Sequence, residues 1–146
     1  MSARDDDASK AAAVAAAVAA AAWTPEKANR ALPLVRRIAD DLVQHYAVWQ
    51  ELVARFEVAS LKSRADRPDH EADLLAREVQ RAAKEIQGFV SELMELGVEC
   101  KSLEQGLMDF AGERDGRTVY FCWQRGESSV EHWHELDAGF AGRQPL

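Results

Sequence analysis

A chain of 146 residues with 47% hydrophobic and 29% charged residues can bury one modest core and is too apolar for a disordered polymer. Its formal net charge of −7 argues against general nucleic-acid binding, which needs a basic face. Only Arg30, Arg36 and Arg37 come near to forming one. Cys100 and Cys122 are too few for a disulfide framework and are not spaced as a CxxC pair, so they read as free thiols in a reducing compartment. A cytoplasmic location is the expectation.

Residues 1–22 form an Ala-rich, low-complexity extension, expected to be disordered or a fraying helix. Asp5, Asp6 and Asp7 stand where a signal peptide carries basic residues. The alanine run is also too short and too weakly apolar to span a bilayer, so no membrane partner is expected. A single domain over residues 23–146 follows.

Thr24-Pro25-Glu26 is a helix start, with a capping hydroxyl, a proline suited to the first helical position and an acid at the positive end of the dipole. Ala28, Val35, Leu42, Trp49 and Phe56 then recur every seventh residue, and Ala31, Ile38, His45 and Leu52 fill a second seam. The spacing predicts one helix over about 25–62, with Pro33 close enough to its start to kink rather than break it. His45 on this seam reads as a core or interface histidine. The polar stretch from Ser63 to Asp69 ends that helix. Leu75, Val79, Ala82, Ile86, Phe89, Leu93 and Leu96 predict a second helix over about 70–96, stopped by Gly97. Two seams with a short connection fold back as an antiparallel helical hairpin. At ~1.5 Å per residue the first helix is over about 50 Å long, so part of its seam overhangs. An overhanging apolar seam is most simply buried on another copy, and a homodimer is expected.

After Gly97 the apolar period changes to that of strands. Leu107–Arg114 and Arg117–Gln124 flank Asp115-Gly116, a strong two-residue turn signal. That turn sets Arg114 opposite Arg117, Gly112 opposite Val119, Phe110 opposite Phe121 and Met108 opposite Trp123. Met108, Phe110, Val119, Phe121 and Trp123 share one dry face for the helices to cover. Asp109 faces Cys122 on the other side, together with Tyr120 and Glu113. The segment from Val130 to Leu136 is placed beside this hairpin. As a strand it points His132 and His134 one way and Trp133 and Glu135 the other; as a helix it would separate the histidines. The strand is favoured, because Trp133 and the glycines at 139 and 142 suit extended, irregular chain. The fold class is α+β: a long helical hairpin on a small antiparallel sheet made of the β-hairpin and the C-terminal segment, about 128–146.

The titratable groups concentrate at the end of the chain, where His132, His134, Glu131, Glu135 and Asp137 lie close to Trp133 in sequence and Arg143 follows. A first reading is a polar ligand site of Asp109, Arg125, Glu127, His134 and Arg143. There the arginines hold an anionic ligand or protein partner and the carboxylates orient them. A second is a divalent metal (zinc, manganese or iron) on His132, His134 and a carboxylate of Asp109 or Glu127, with bound water acting in a hydrolase-like reaction. A third is a thiol–imidazole–carboxylate relay of Cys122, His134 and Asp109. The same charges could also simply pair and pin the C-terminal loop to the sheet. A last reading is a structural dimer whose helix seam recruits another helical protein. No Gly-rich phosphate loop, GxSxG or paired CxxC occurs in the sequence.

Several short motifs carry a family resemblance. They are Trp23-Thr24-Pro25-Glu26-Lys27-Ala28-Asn29 with Leu32-Pro33; Leu96-Gly97-Val98-Glu99-Cys100-Lys101 with Gly106-Leu107-Met108-Asp109-Phe110; and Cys122-Trp123, Gly126-Glu127, Trp133-His134, Gly139-Phe140-Ala141-Gly142-Arg143 and Pro145. Over residues 23–146 the chain resembles the bacterial DUF2203 proteins. That resemblance implies a small domain in which the long helices and the C-terminal segment belong together, and it implies no activity. The reading carried forward is a binding or interaction module, with the metal-dependent enzyme and the structural dimer as alternatives.

Overall fold

The computed structural model describes residues 9–10, 23–64 and 67–146. The expected extension over 1–22 therefore lies outside the described residues, apart from 9 and 10. Helix α1 runs Pro25–Lys62 and α2 runs His70–Leu96. The Thr24 hydroxyl accepts from the Lys27 amide at 3.1 Å, and Asp69 caps α2 by accepting from Glu71 at 2.9 Å. Helix α1 continues through Pro33. Gly97 ends α2 at φ 83°, in the left-handed region glycine enters without steric cost, and its amide reaches back to the Leu93 and Met94 carbonyls.

A five-stranded antiparallel meander follows, ordered β1-β2-β3-β4-β5. The strands are β1 Val98–Ser102, β2 Leu107–Arg114, β3 Arg117–Gln124, β4 His132–Glu135 and β5 Gln144–Pro145, with a 3-10 turn at Phe140–Gly142. The β2–β3 register is the one the turn implies: Arg114 faces Arg117, Phe110 faces Phe121 and Asp109 faces Cys122. Asp115 and Gly116 both have positive φ, 52° and 75°, as this tight turn requires. The segment at 130–136 forms a strand, with Trp133 opposite Phe121 and His134 opposite Tyr120. Strands β1 and β5 add to the three expected. β1 was hidden because five residues after a helix stop are too few to establish a period, and β5 because two residues with a proline carry no strand signal.

The core lies between the hairpin and one face of the sheet. Val35, Ile38 and Leu42 of α1 and Ile86 and Leu93 of α2 pack on Val98, Met108, Phe110, Val119, Phe121, Trp123 and Trp133. Trp23 meets Phe110 edge-on with ring centroids 5.0 Å apart, and donates its Nε1–H to the Gly97 carbonyl at 3.0 Å. The backbone of Trp23 passes so close to Gly112 that a Cβ there would collide with the Trp23 carbonyl and the Phe121 ring. Farther along the hairpin, among the described residues, Ala59, Ala72 and Leu75 form a small buried cluster, with Leu52 and Phe56 half-covered. His45 bridges the helices: Nδ1 lies 2.7 Å from the Asp41 carbonyl, Nε2 lies 3.5 Å from Glu85, and the ring meets Phe89 edge-on. Among the described residues no helix is long and apolar enough to cross a membrane.

Candidate functional site

Alternation along the strands sends every second side chain away from the helices. That outer face carries Asp109 from β2, Tyr120 and Cys122 from β3, and His132 and His134 from β4, brought side by side by the register. Asp109 and His134 are only 2% and 3% exposed, the two polar side chains found buried among the described residues. His134 Nε2 lies 3.0 Å from both Asp109 carboxyl oxygens, and Nδ1 lies 2.7 Å from the Glu135 carbonyl. A carbonyl only accepts, so Nδ1 carries hydrogen. Nε2 and the carboxyl oxygens would both be acceptors without hydrogen, so one proton shared between them makes the contact a hydrogen bond. Burial raises the Asp109 pKa above the usual carboxyl value, and the neighbouring imidazole opposes that rise without cancelling it.

The Cys122 thiol lies beside Asp109, directly across the β2–β3 ladder. Desolvation, then the Asp109 charge, push its pKa up to about 12. A nucleophilic relay needs a thiolate, so the Cys122–His134–Asp109 constellation has the residue types of a relay and the wrong electrostatics for one. Tyr120 is shifted the same way, by burial and by the nearby Glu99 carboxylate. Lys101 lies over the Tyr120 ring at 4.7 Å.

A pocket of about 390 Å³ opens onto this face. Asp109, Cys122 and His134 form its polar floor, and Leu107, Leu136 and Phe140 supply apolar wall, with Lys101 and Asp137 also lining it. The segment that follows β4 closes one side, turning through Gly139 at φ 65°.

The remaining expected site residues stand elsewhere. Arg143 donates to both Glu127 carboxylate oxygens at 2.8 and 2.7 Å, and also to His132 Nδ1 at 2.7 Å. Because a guanidinium has no lone pair to offer, His132 Nδ1 is an acceptor. The 3.5 Å approach of that nitrogen to Glu127 is therefore not a hydrogen bond. Glu127 also accepts from the Gln124 amide at 2.6 Å, while its backbone carbonyl accepts from Trp123 Nε1 at 2.9 Å. Arg125 turns to α1 and pairs with Asp40 at 2.6 Å. Arg36 donates to the Ser128 carbonyl at 3.0 Å, and the Asn29 side chain holds both backbone groups of Val130. Thus Asp109 and His134 are brought together, Glu127, His132 and Arg143 form a second cluster, and Arg125 belongs to neither. A wide depression of about 620 Å³ lies by Arg36, Asp40, Arg125 and Glu127. Its charges are already paired with one another or with backbone, and it is open to solvent, so the smaller pocket is the better candidate.

Asn29, Arg36 and Asp40 were not expected to hold the C-terminal segment. No local signal marks them, since their partners lie 85 or more residues away in the chain.

A family model described as an uncharacterized conserved protein, DUF2203, matches residues 21–146. No curated protein and no solved structure matches the chain.

Proposed function

The chain belongs to the DUF2203 family, and we propose that it works in the cytoplasm as a binding module whose ligand occupies the outer-face pocket. One observation carries this reading: the buried Asp109–His134 pair lines a cavity instead of being sealed inside the core. A polar pair in a packed core would be a structural device. At the floor of a pocket with apolar walls it is a recognition group, able to donate or accept through its shared proton. The volume suits a small molecule with a compact apolar body and one hydrogen-bonding head group. Such a ligand sets its head on Asp109 and His134 and its body against Leu136 and Phe140. Arg125 and Arg143, paired with Asp40 and Glu127, serve as staples in this reading and not as anion receptors.

The test uses benzamide, benzoate and phenol as probes in two-dimensional NMR of the full chain. Amide shifts confined to the neighbourhood of Cys122, His134 and Phe140 are expected for at least one probe. Shifts around Arg36 and Arg125, or none, would overturn the pocket assignment.

The distal half of the hairpin supports a second reading, compatible with the first. Val48, Val58, Leu61 and Leu74 are 53%, 57%, 86% and 58% exposed, and no strand residue belongs to the distal buried cluster. We propose that this end pairs with a second copy of the chain.

A further inference from the structure

We propose that the pocket floor is a zinc-type metal site, with the Asp109 carboxylate, the Cys122 sulfur and His134 Nε2 as three protein ligands and the fourth position open to the pocket. The proposal rests on the pocket reading above and adds a cofactor to it. It differs from a two-histidine site, because His132 Nδ1 and Glu127 are engaged by Arg143.

Five considerations carry it. The three candidate ligand atoms lie within 4.8 Å of one another, all on buried residues. At metal–ligand bonds of ~2.0–2.3 Å and tetrahedral angles, neighbouring ligand atoms stand roughly 3.3–3.8 Å apart. The Asp109 and His134 atoms already stand 3.0 Å apart, so side-chain torsions alone can bring the set to that geometry.

The strands that hold the ligands are adjacent and mutually registered, with Asp109 directly opposite Cys122, which gives the site a rigid base. The orientation of His134 is the one a metal ligand needs. Its Nδ1–H is tied to the Glu135 carbonyl at 2.7 Å, which fixes the tautomer and aims the Nε2 lone pair at the other two ligands.

The donor set also selects the ion. One thiolate, one imidazole and one carboxylate suit zinc and its spectroscopic substitute cobalt, and disfavour magnesium and calcium, which require oxygen donors. Two anionic ligands and a neutral imidazole balance a divalent charge, so the loaded site is neutral, as burial demands. Finally, all three ligands line the same 390 Å³ pocket, so an incoming fourth ligand, water or a small molecule, has a route to the metal.

The experiment is a titration of chelator-treated, tag-free full-length protein with cobalt(II), followed by absorption. One equivalent is expected to produce the visible bands of four-coordinate cobalt and a sulfur-to-cobalt charge-transfer band in the near ultraviolet, both bleached by zinc. Cys100→Ser, which leaves Cys122 as the one sulfur donor of cysteine type, must keep that band. Cys122→Ser must lose it, and Asp109→Asn or His134→Gln must weaken cobalt uptake by at least about a hundredfold, since even outer-shell changes cost ~10–100-fold. Absence of the charge-transfer band from the Cys100→Ser protein overturns the proposal without requiring that any ligand variant fold. So does a band that survives Cys122→Ser. Should the metal titration fail while the NMR probes still map to His134, the pocket reading stands and the metal alone is refuted.

Discussion

Truncating the Asp109 side chain is the sharpest test of how the outer face is held. In metal-free protein, Asp109→Ala leaves His134 Nε2 without its partner in a site that is 2–3% exposed. A buried polar group left unsatisfied costs about 1–3 kcal/mol, and the small void adds roughly 1 kcal/mol, for a total of about 2–4 kcal/mol. Domains of this size lose ~2–4 °C of Tm per kcal/mol, so a fall of about 4–16 °C is expected. Asp109→Asn keeps the shape and offers an N–H to Nε2, restoring the neutral hydrogen bond, and is expected to cost less than about 1 kcal/mol. Urea unfolding with chelator present, read by fluorescence of Trp123 and Trp133 on the opposite side of the sheet, measures both variants. If the asparagine variant is as unstable as the alanine one, the pair needs a full carboxylate charge and the shared-proton account is wrong. If both are harmless, the pair contributes nothing to the fold.

The sign of the pH dependence follows from the same pair. The Asp109 pKa is higher in the folded chain than its ordinary value of 3.8, so its contribution is fully present below that value and is lost as pH rises through the folded one. The stability of Asp109→Asn relative to the native protein should therefore grow with pH in parallel denaturation series, and a constant difference would refute the shift. With its pKa near 12, Cys122 at pH 8 has about 10⁻⁴ of its thiol ionised, roughly a thousandfold less than a free cysteine. Disulfide-exchange reagents should label it at least that much more slowly in native protein than in urea, and rapid native labelling of a Cys100→Ser variant would contradict its burial. Gly112→Ala places a methyl group against the Trp23 carbonyl and the Phe121 ring and should cost about 1–3 kcal/mol in thermal melts. Glu127→Ala takes the carboxylate from Arg143, leaving it His132 alone, and strips the Gln124 amide of its acceptor, so amides of residues 139–146 should exchange hydrogen faster, while those of β2 stay protected. On light scattering the native chain should run as a dimer and Leu61→Glu should shift it towards monomer; a monomer at all concentrations would refute the distal interface.

Much of the architecture is written in local pattern. The capping residues at Thr24 and Asp69, the seven-residue spacing from Ala28 to Phe56 and the stop at Gly97 act over a turn or two of chain, so the two helices are legible without tertiary information. Asp115-Gly116 determines a turn, the turn determines a register, and the register alone puts Asp109 opposite Cys122 and sorts the dry face from the polar one. Side-chain alternation likewise places His132 and His134 together on that polar face.

What the sequence could not determine is which charged group takes which partner. Arg125, Arg143, Glu127 and the two histidines are interchangeable by type and spacing, since a guanidinium accepts any nearby carboxylate and an imidazole can donate or accept. Distances of 3 Å decide among them, and these depend on how β4 lies on β3 and where the chain returns after Gly139. Only that packing turns His132 to Arg143 and His134 to Asp109, and pulls Arg125 to Asp40 on the far side of the chain. Burial is decided there too. Whether Asp109 and Cys122 are solvated surface groups or the desolvated floor of a pocket depends on the return of residues 136–140 over the sheet, a long-range contact no local pattern encodes.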